Sequence, residues 1–203
     1  MINLYLIRHG QSEVNANPDQ IGQTSSVPLT QLGILQSNKL LNRFKQDNIK
    51  FNYIYSSPYS RALDTAQISC QDQPIKINIV EDLREYSAGD WTGKSRSETI
   101  NEQVKLRMAQ LGNGFLPPSG ESLHMVERRV SNWLETNIIY RNLSGNIAVF
   151  SHGMTIKCLL HYIMGFDQIF TWKISLDNTS VTHLTYGIDG WRVLSINDTC
   201  HLK

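Results

Sequence analysis

The sequence predicts an α/β protein in which helices cover both faces of a largely parallel β-sheet. Short runs rich in β-branched and aromatic residues alternate along the chain with longer segments of helical apolar spacing. The chain has 203 residues, of which 40% are hydrophobic and 18% charged, so it can bury a sizeable core. We therefore expect a single domain over residues 1–203.

Six short runs have the composition of β-strands. Strands are predicted at residues 3–7, 53–56, 75–80 and 146–150, each separated from the next by helical or loop sequence. The last two runs, residues 180–186 and 191–196, flank the turn sequence Gly-Ile-Asp-Gly. Because only a short turn joins this last pair, we expect the chain to end in an antiparallel hairpin.

The helical segments carry identifiable start signals and apolar faces. Thr30 is a predicted N-cap, and a stripe at near-helical spacing follows it. That stripe consists of Leu32, Leu35, Leu41 and Phe44. Ser57 followed by Pro58 predicts a second helix that begins with a capping hydroxyl and a first-turn proline. Residues 123–138 form the clearest amphipathic helix, and residues 154–164 are apolar enough for a well-buried one.

Composition excludes several classes of function. The formal net charge of +1 gives no general attraction to nucleic acid or to a membrane surface. No apolar stretch approaches the roughly 20 residues needed to span a bilayer, and the N-terminus lacks the pattern of a signal peptide. The three cysteines are widely spaced and form no CxxC pair. We expect a cytoplasmic protein with neither a disulfide framework nor a zinc knuckle.

Two predicted strands each end in a His-Gly pair. Arg8, His9 and Gly10 follow the first strand, and His152-Gly153 follow the strand at residues 146–150. One histidine at such a place is more often a polar cap bonded to backbone. In an open α/β sheet, however, ligands bind beyond the carboxyl ends of the strands. Two such pairs, one of them preceded by arginine, therefore indicate a site at that edge.

Two further side chains could serve a site there. Arg61 lies near the start of the predicted second helix, where free N–H groups and the helix dipole already favour an anion; it could equally be a solvated surface residue. Glu85 leads into a Gly-Asp-Trp-Thr-Gly turn, but spacing alone does not distinguish it from Glu81 and Asp82. The motifs HExxH, GxxxxGK[ST], GxGxxG and GxSxG are absent, so neither a metal nor a nucleotide cradle is indicated.

Five segments, in order, resemble the histidine phosphatase superfamily, the phosphoglycerate mutase-like clan. They are LIRHGQSEVN, SSPYSRALDTA, LREYSAGDWTG, PPSGES and FSHGMT. The resemblance runs from about residue 4 to residue 202. It implies a three-layer α/β/α sandwich around a mostly parallel mixed sheet.

The resemblance also implies residue roles. His9 would be the nucleophile that becomes phosphohistidine, and Glu85 the proton donor. Arg8, Arg61 and His152 would form the phosphate pocket, and Asn15 would contact the phosphate. The remaining residues that the resemblance places in the substrate-binding set are Ser12, Gly22 and Gln23. No metal and no organic cofactor is implied.

Within this family the chain resembles the phosphatases more than the mutases. Its ending resembles that of broad-specificity and α-ribazole-type phosphatases. The stretch between Glu85 and His152 is compact, whereas the resemblance implies a longer chain with an inserted segment there for a mutase. We expect a phosphatase acting on a small phosphorylated metabolite, as a monomer or homodimer. A mutase is the runner-up. A non-catalytic phosphate-binding scaffold stays open as an alternative of another class.

The chain departs from the family pattern in one loop. Gly22-Gln23 stands in the reverse of the usual order, and Ser25-Ser26 stands where an aspartate is usual, which leaves the register of Gln23 open. Lys94 and Arg96 could meet a second acidic group on the substrate, or they could be solvated surface charges.

Overall fold

The computed structural model describes residues 1–17, 19–22 and 24–203. A six-stranded sheet lies at its centre. The strands are β1 (Ile2–Arg8), β2 (Tyr53–Ser56), β3 (Ile77–Ile79), β4 (Gly145–Ser151), β5 (Val181–Gly187) and β6 (Gly190–Asp198). Their spatial order is β3-β2-β4-β1-β5-β6. The pairs β2–β3, β2–β4 and β1–β4 are parallel, whereas β1–β5 and the hairpin β5–β6 are antiparallel. The predicted mostly parallel mixed sheet is therefore confirmed.

Helices lie between most of the strands along the chain. They are α1 (Gln31–Gln46), α2 (Ser60–Ser69), α3 (Arg96–Thr99), α4 (Glu102–Leu111), α5 (Leu123–Leu134), α6 (Gly153–Met164) and α7 (Ile169–Lys173). A π-helical turn, Glu135–Ile139, extends α5, so residues 123–138 are helical throughout, as predicted. Among the described residues, no helix combines the length and the apolar character required to cross a membrane.

Each face of the sheet has its own core. Successive side chains of a strand point to opposite faces, so Leu4 and Leu6 of β1 join a cluster with Trp133 of α5 and Leu159 of α6. Ile7, one residue further, joins a second cluster built from α1 and α2. The three-layer α/β/α architecture follows from this alternation.

The predicted strand at residues 75–80 is longer than the observed one. Only Ile77–Ile79 pairs, and it pairs with β2 alone because it is the edge strand. Ile79 is 59% exposed, so the apolar run that predicted the strand does not mark a buried element. The two central strands are longer than predicted, since β1 and β4 each extend one residue beyond both predicted ends.

The predicted start of the second helix is wrong. Its helical residues begin at Ser60, and Tyr59 occupies the N-cap position without a side-chain cap. Ser57 instead continues the sheet, since its N–H donates to the Phe150 carbonyl (2.9 Å). Its hydroxyl is held by His152 at 2.7 Å, a contact across 95 residues that local sequence does not encode.

Helix α1 begins where predicted, but only the second half of the predicted apolar stripe, Leu41 and Phe44, is buried. The Thr30 hydroxyl accepts a hydrogen bond from the Gly33 N–H (3.1 Å), which confirms the N-cap. Leu32 and Leu35 are exposed, however, while Gly33 and Leu40 are buried. Gly33 determines this orientation because it packs directly on the segment after β1.

We predict that Gly33→Ala destabilises the protein although alanine normally favours a helix by about 1 kcal/mol over glycine. The added Cβ would lie 2.1 Å from the Gln11 carbonyl oxygen, so backbone must move. Urea unfolding should show a loss of about 1–3 kcal/mol in the free energy of unfolding. The control Leu35→Ala, on the exposed face of α1, should change it by less than about 0.5 kcal/mol. An unchanged Gly33→Ala protein would contradict the close packing of α1.

Candidate active site

The site begins where two neighbouring parallel strands end. Arg8 of β1 stands opposite Ser151 of β4, so His9 and His152 leave the sheet side by side. The His9 N–H donates to the Ser151 carbonyl (3.0 Å), which extends the pairing by one more residue. The two imidazole rings lie 5.1 Å apart, centroid to centroid, and both are buried. The structure thus brings together the two His-Gly pairs that the sequence singled out.

The hydrogen bonds of His9 define its tautomer. Its Nδ1 lies 2.7 Å from the Gly10 carbonyl oxygen, which can only accept, so Nδ1 carries the proton. Its Nε2 accepts a hydrogen bond from Nε of Arg61 (3.2 Å). The lone pair of Nε2 is therefore directed toward the cationic side of the site, as a nucleophile for an anionic ligand requires.

The surroundings of His9 keep its ring neutral. Burial is the largest cause that lowers the pKa of His9 well below the ordinary 6.5, and the charges of Arg61 and Arg8 lower it further. The hydrogen bond to Gly10 acts in the opposite direction but does not offset them. A neutral imidazole is the form that can attack an electrophile.

Arg61 lies at the second residue of α2 and is completely buried. Burial lowers its pKa to about 10. Its Nη1 donates to the Thr24 carbonyl (2.9 Å), while Nη2 has no hydrogen-bond partner in the described part of the chain. The predicted alternative of a solvated surface arginine is wrong, because α2 directs this side chain inward against His9.

Two more buried nitrogen atoms in this site lack a hydrogen-bond partner in the described part of the chain. Arg8 donates from Nη1 to the Leu176 carbonyl, but its Nε has no partner among the described residues. His152 contacts the Ser57 hydroxyl through Nε2, and its Nδ1 is likewise unpaired within the described chain. Burial, followed by the charge of Arg61, lowers the pKa of His152 well below 6.5. Unpaired buried polar groups are costly, so atoms of this kind gathered at one place indicate a missing ligand.

Asn15 offers one more donor. Its Oδ1 accepts hydrogen bonds from the Ser12 N–H (3.1 Å), the Ser12 hydroxyl (3.0 Å) and Nδ2 of Asn178 (3.3 Å). With Oδ1 occupied in this way, Nδ2 of Asn15 is the group it can present to a ligand. Asn178 also donates to the His9 carbonyl (3.1 Å) and so ties the nucleophile's backbone to Asn15. Sequence analysis did not single out Asn178, which lies 169 residues from His9.

Glu85 is distinguished from the neighbouring acids by its hydrogen bonds. Its carboxylate accepts from the backbone N–H groups of Met154 (3.3 Å) and Thr155 (3.2 Å), in the first turn of α6. The Thr155 hydroxyl (3.2 Å) and the Tyr86 N–H (2.9 Å) complete the set. The N-terminus of a helix favours a negative group, so α6 holds the Glu85 carboxylate beside the site.

A partly buried ion-pair network supports the loop that carries Glu85. Glu121 binds Arg84 (2.9 Å) and Arg129 (3.0 Å), and it accepts the Ser87 N–H (3.1 Å). Arg129 in turn donates to the Glu85 carbonyl (3.3 Å). These residues position Glu85 from behind. Only the PPSGES segment, which contains Glu121, gave any sign of this network in the sequence.

A cavity of about 390 Å³ opens in front of these groups. Arg8, Asn15 and Glu85 line it together with Gly22, whose φ of +64° suits glycine, and with Lys157 of α6. His9, Arg61 and His152 are not among the residues that line it. Gln23 lies outside the described residues, so its predicted place in the pocket wall stays a prediction.

The two basic residues considered for a second acidic group differ in position. Arg96 lines the cavity but is exposed, and Lys94 is exposed without lining it. Trp91 and Trp172 also line the cavity, so its outer part is aromatic as well as charged. Among the described residues, no group of three or more His, Cys, Asp or Glu side chains is arranged to hold a metal ion.

Comparison with known proteins identifies relatives over the whole chain. Residues 4–199 match the family described as the histidine phosphatase superfamily (branch 1). A Yersinia pestis protein named "Probable phosphoglycerate mutase GpmB" is 30% identical over 209 residues, which cover 100% of this chain and 95% of that protein.

Solved structures agree with this similarity. A mutant phosphoserine phosphatase from Entamoeba histolytica in complex with phosphoserine has a TM-score of 0.86 and 27% identity, with 100% of both chains covered. The alpha-ribazole phosphatase of Shigella flexneri has a TM-score of 0.85 at 22% identity, over 97% of this chain and 96% of that one. At that identity the second likeness concerns the fold.

We predict that nitrogen-15 NMR of the ligand-free protein will show His9 protonated at Nδ1 and neutral down to a pH well below 6.5, because its pKa is lowered. Arg61→Met removes one of the charges that lower this pKa, so it should raise the pKa of His9. Arg107→Met, at an exposed position of α4, is the matched control and should leave it unchanged. Titration of His9 near 6.5 in the unaltered protein would contradict the electrostatics described above.

Proposed function

The chain belongs to the histidine phosphatase superfamily, branch 1, and on that premise we propose that it hydrolyses phosphomonoesters of small metabolites through a phosphohistidine intermediate. One observation carries the proposal. Arg8, Arg61 and His152 each present a buried nitrogen without a hydrogen-bond partner among the described residues, near Nε2 of His9, which accepts its hydrogen bond from Arg61. A phosphoryl group would satisfy these donors and meet the nucleophile at the same place.

In the first half-reaction, His9 Nε2 attacks phosphorus and the P–O bond to the alcohol breaks. Both arginines and His152 stabilise the negative charge on the transferring oxygens, as preorganised donors. Glu85 gives its proton to the leaving alkoxide, which departs as the alcohol. These residues supply the charge stabilisation themselves, so we propose that turnover requires no metal ion.

In the second half-reaction, water attacks the phosphorus of phosphohistidine and the P–N bond breaks. Glu85 now accepts the proton of the attacking water, which restores its acid form, and inorganic phosphate leaves. The network of Glu121 and Arg129 keeps the Glu85 loop in one place through both steps. The E. histolytica phosphoserine phosphatase, with its bound phosphoserine, supports a small phosphorylated metabolite as the substrate.

A phosphoglycerate mutase is the second candidate, and the 30% identical Y. pestis protein favours it. A mutase would return the phosphoryl group from His9 to a second hydroxyl instead of to water. Release of inorganic phosphate from 3-phosphoglycerate, without formation of 2-phosphoglycerate when 2,3-bisphosphoglycerate is present, distinguishes the hydrolase. A scaffold would bind phosphate and do neither.

The proposal predicts that the protein hydrolyses p-nitrophenyl phosphate in the presence of EDTA and is inhibited by vanadate. His9→Ala should lower kcat by at least about 10³-fold, because the nucleophile is gone. His124→Ala, which alters a histidine outside the site, is the control and should retain the rate. Acid-labile phosphate on the intact protein after rapid quenching would report phosphohistidine. Hydrolysis that persists in His9→Ala, or that EDTA abolishes, would contradict the mechanism.

A second prediction concerns the acid role of Glu85. Glu85→Gln should slow the hydrolysis of alkyl phosphates by about 10²–10⁴-fold, since their leaving groups need a proton. The rate of the phosphorylation step with p-nitrophenyl phosphate should fall much less, because p-nitrophenolate leaves unprotonated. Glu98→Gln, an exposed carboxylate on α3, is the control. Equal losses for both classes of leaving group would rule out the acid role.

A further inference from the structure

Lys157 is a basic residue of the cavity for which the proposed mechanism has no use. It lies on α6 one helical turn after Gly153, and both residues line the cavity. A Cβ on Gly153 would lie 3.4 Å from Nε of Arg8, so this end of α6 touches the phosphate pocket. One turn raises the Lys157 backbone about 6 Å along the helix axis from that point. Lys157 thus lines the cavity about one helical turn away from the phosphate pocket.

No carboxylate forms an ion pair with this ammonium group in the described part of the chain, although the charge of Glu85 favours its charged form. The ion pairs formed among the described residues do not include Lys157. Glu85, the carboxylate that lines the same cavity, takes its hydrogen bonds from backbone N–H groups and the Thr155 hydroxyl. Lys157 is half-buried, and burial, followed by the charge of Arg8, lowers its pKa. An anion placed beside it would offset both effects.

The charges that line the cavity are unbalanced. Arg8, Arg96 and Lys157 face it as cations, and Glu85 faces it as the one carboxylate among the described lining residues. The phosphoryl group accounts for Arg8, and Arg96 is exposed. That leaves Lys157 as the half-buried positive charge to which the mechanism assigns no partner.

We propose that Lys157 binds a carboxylate carried by the alcohol part of the substrate, so that the substrate class is phosphorylated hydroxy or amino acids. The proposal rests on the proposed function and narrows it. A carboxylate fits better than a second phosphate, because the phosphate pocket uses several donors whereas this position offers a single ammonium group.

Lys157 has one competing role. Its charge interacts with Glu85, so it could act through that carboxylate without touching the substrate. The two roles differ in what they discriminate. A carboxylate receptor distinguishes ligands with a carboxylate from those without one, whereas an effect through Glu85 does not.

The test is a binding measurement in which no turnover occurs. Racemic 3-phosphoglycerate and racemic glycerol 1-phosphate differ only in a carboxylate replaced by CH₂OH. Isothermal titration calorimetry of both with His9→Ala gives the ratio of their Kd values. Adding Lys157→Met should reduce the preference for 3-phosphoglycerate by about 10- to 100-fold, the usual range for a hydrogen bond to a charged group. Lys157→Arg should retain most of the preference for 3-phosphoglycerate. Lys94→Met, which alters a residue outside the cavity, should leave that preference unchanged.

Each outcome decides the inference. A preference for 3-phosphoglycerate that Lys157→Met abolishes and Lys157→Arg retains supports it, provided that thermal unfolding shows the variants to be folded. An unchanged ratio, or equal losses for both ligands, overturns it. Because Kd is measured without turnover, failure of p-nitrophenyl phosphate hydrolysis in the unaltered protein would refute the hydrolase proposal separately.

Discussion

The parallel pairing of β1 with β4 is the constraint on which the rest of the site depends. In-register pairing as far as Arg8 and Ser151 makes both strands end at the same level, and the next residue on each is a histidine. A rigid, fully hydrogen-bonded pair of core strands therefore sets the distance between the two rings. Arg8 is the last residue of β1 itself. Helix α2 brings Arg61 to this fixed point, the loop after β1 brings Asn15, and the N-terminus of α6 holds Glu85 there.

Such a site destabilises the fold, and the apolar cores around it offset that destabilisation. Arg8, Arg61 and His152 keep buried nitrogens unpaired within the described chain. Each such group costs about 1–3 kcal/mol. Two apolar cores, one on each side of the strands that carry these residues, provide the compensating burial. A bound oxyanion would recover the missing hydrogen bonds, so the same deficit that destabilises the free protein favours the complex.

Local sequence predicted the six strands and four of the helices, but neither α3, α4 and α7 nor the way the elements meet. The apolar runs and the Thr30 cap placed β1, β4 and α1, because alternation and capping act within a few residues. Ser57, in contrast, has the composition of a helix cap, but its hydroxyl accepts from the Tyr59 N–H (3.2 Å) ahead of α2 and contacts His152 from 95 residues away. The choice of Glu85 among its acidic neighbours depends on α6, and the contribution of Lys157 is hidden within an apolar helix. Those contacts arise from tertiary packing, which single-sequence patterns do not contain.

The hydrogen bond between Arg61 and the Thr24 carbonyl has a consequence for ligand affinity. Ser60 fastens the same loop to α2, since its N–H donates to the Ser25 carbonyl (2.9 Å) and its hydroxyl to the Val27 carbonyl (2.9 Å). The Thr24 carbonyl takes up one of the two N–H groups of Nη1, so the second N–H of Nη1 and the N–H groups of Nη2 stay available to a ligand. The loop therefore holds the guanidinium group in one orientation without blocking it. A ligand that binds there has less side-chain freedom to remove, which favours its affinity.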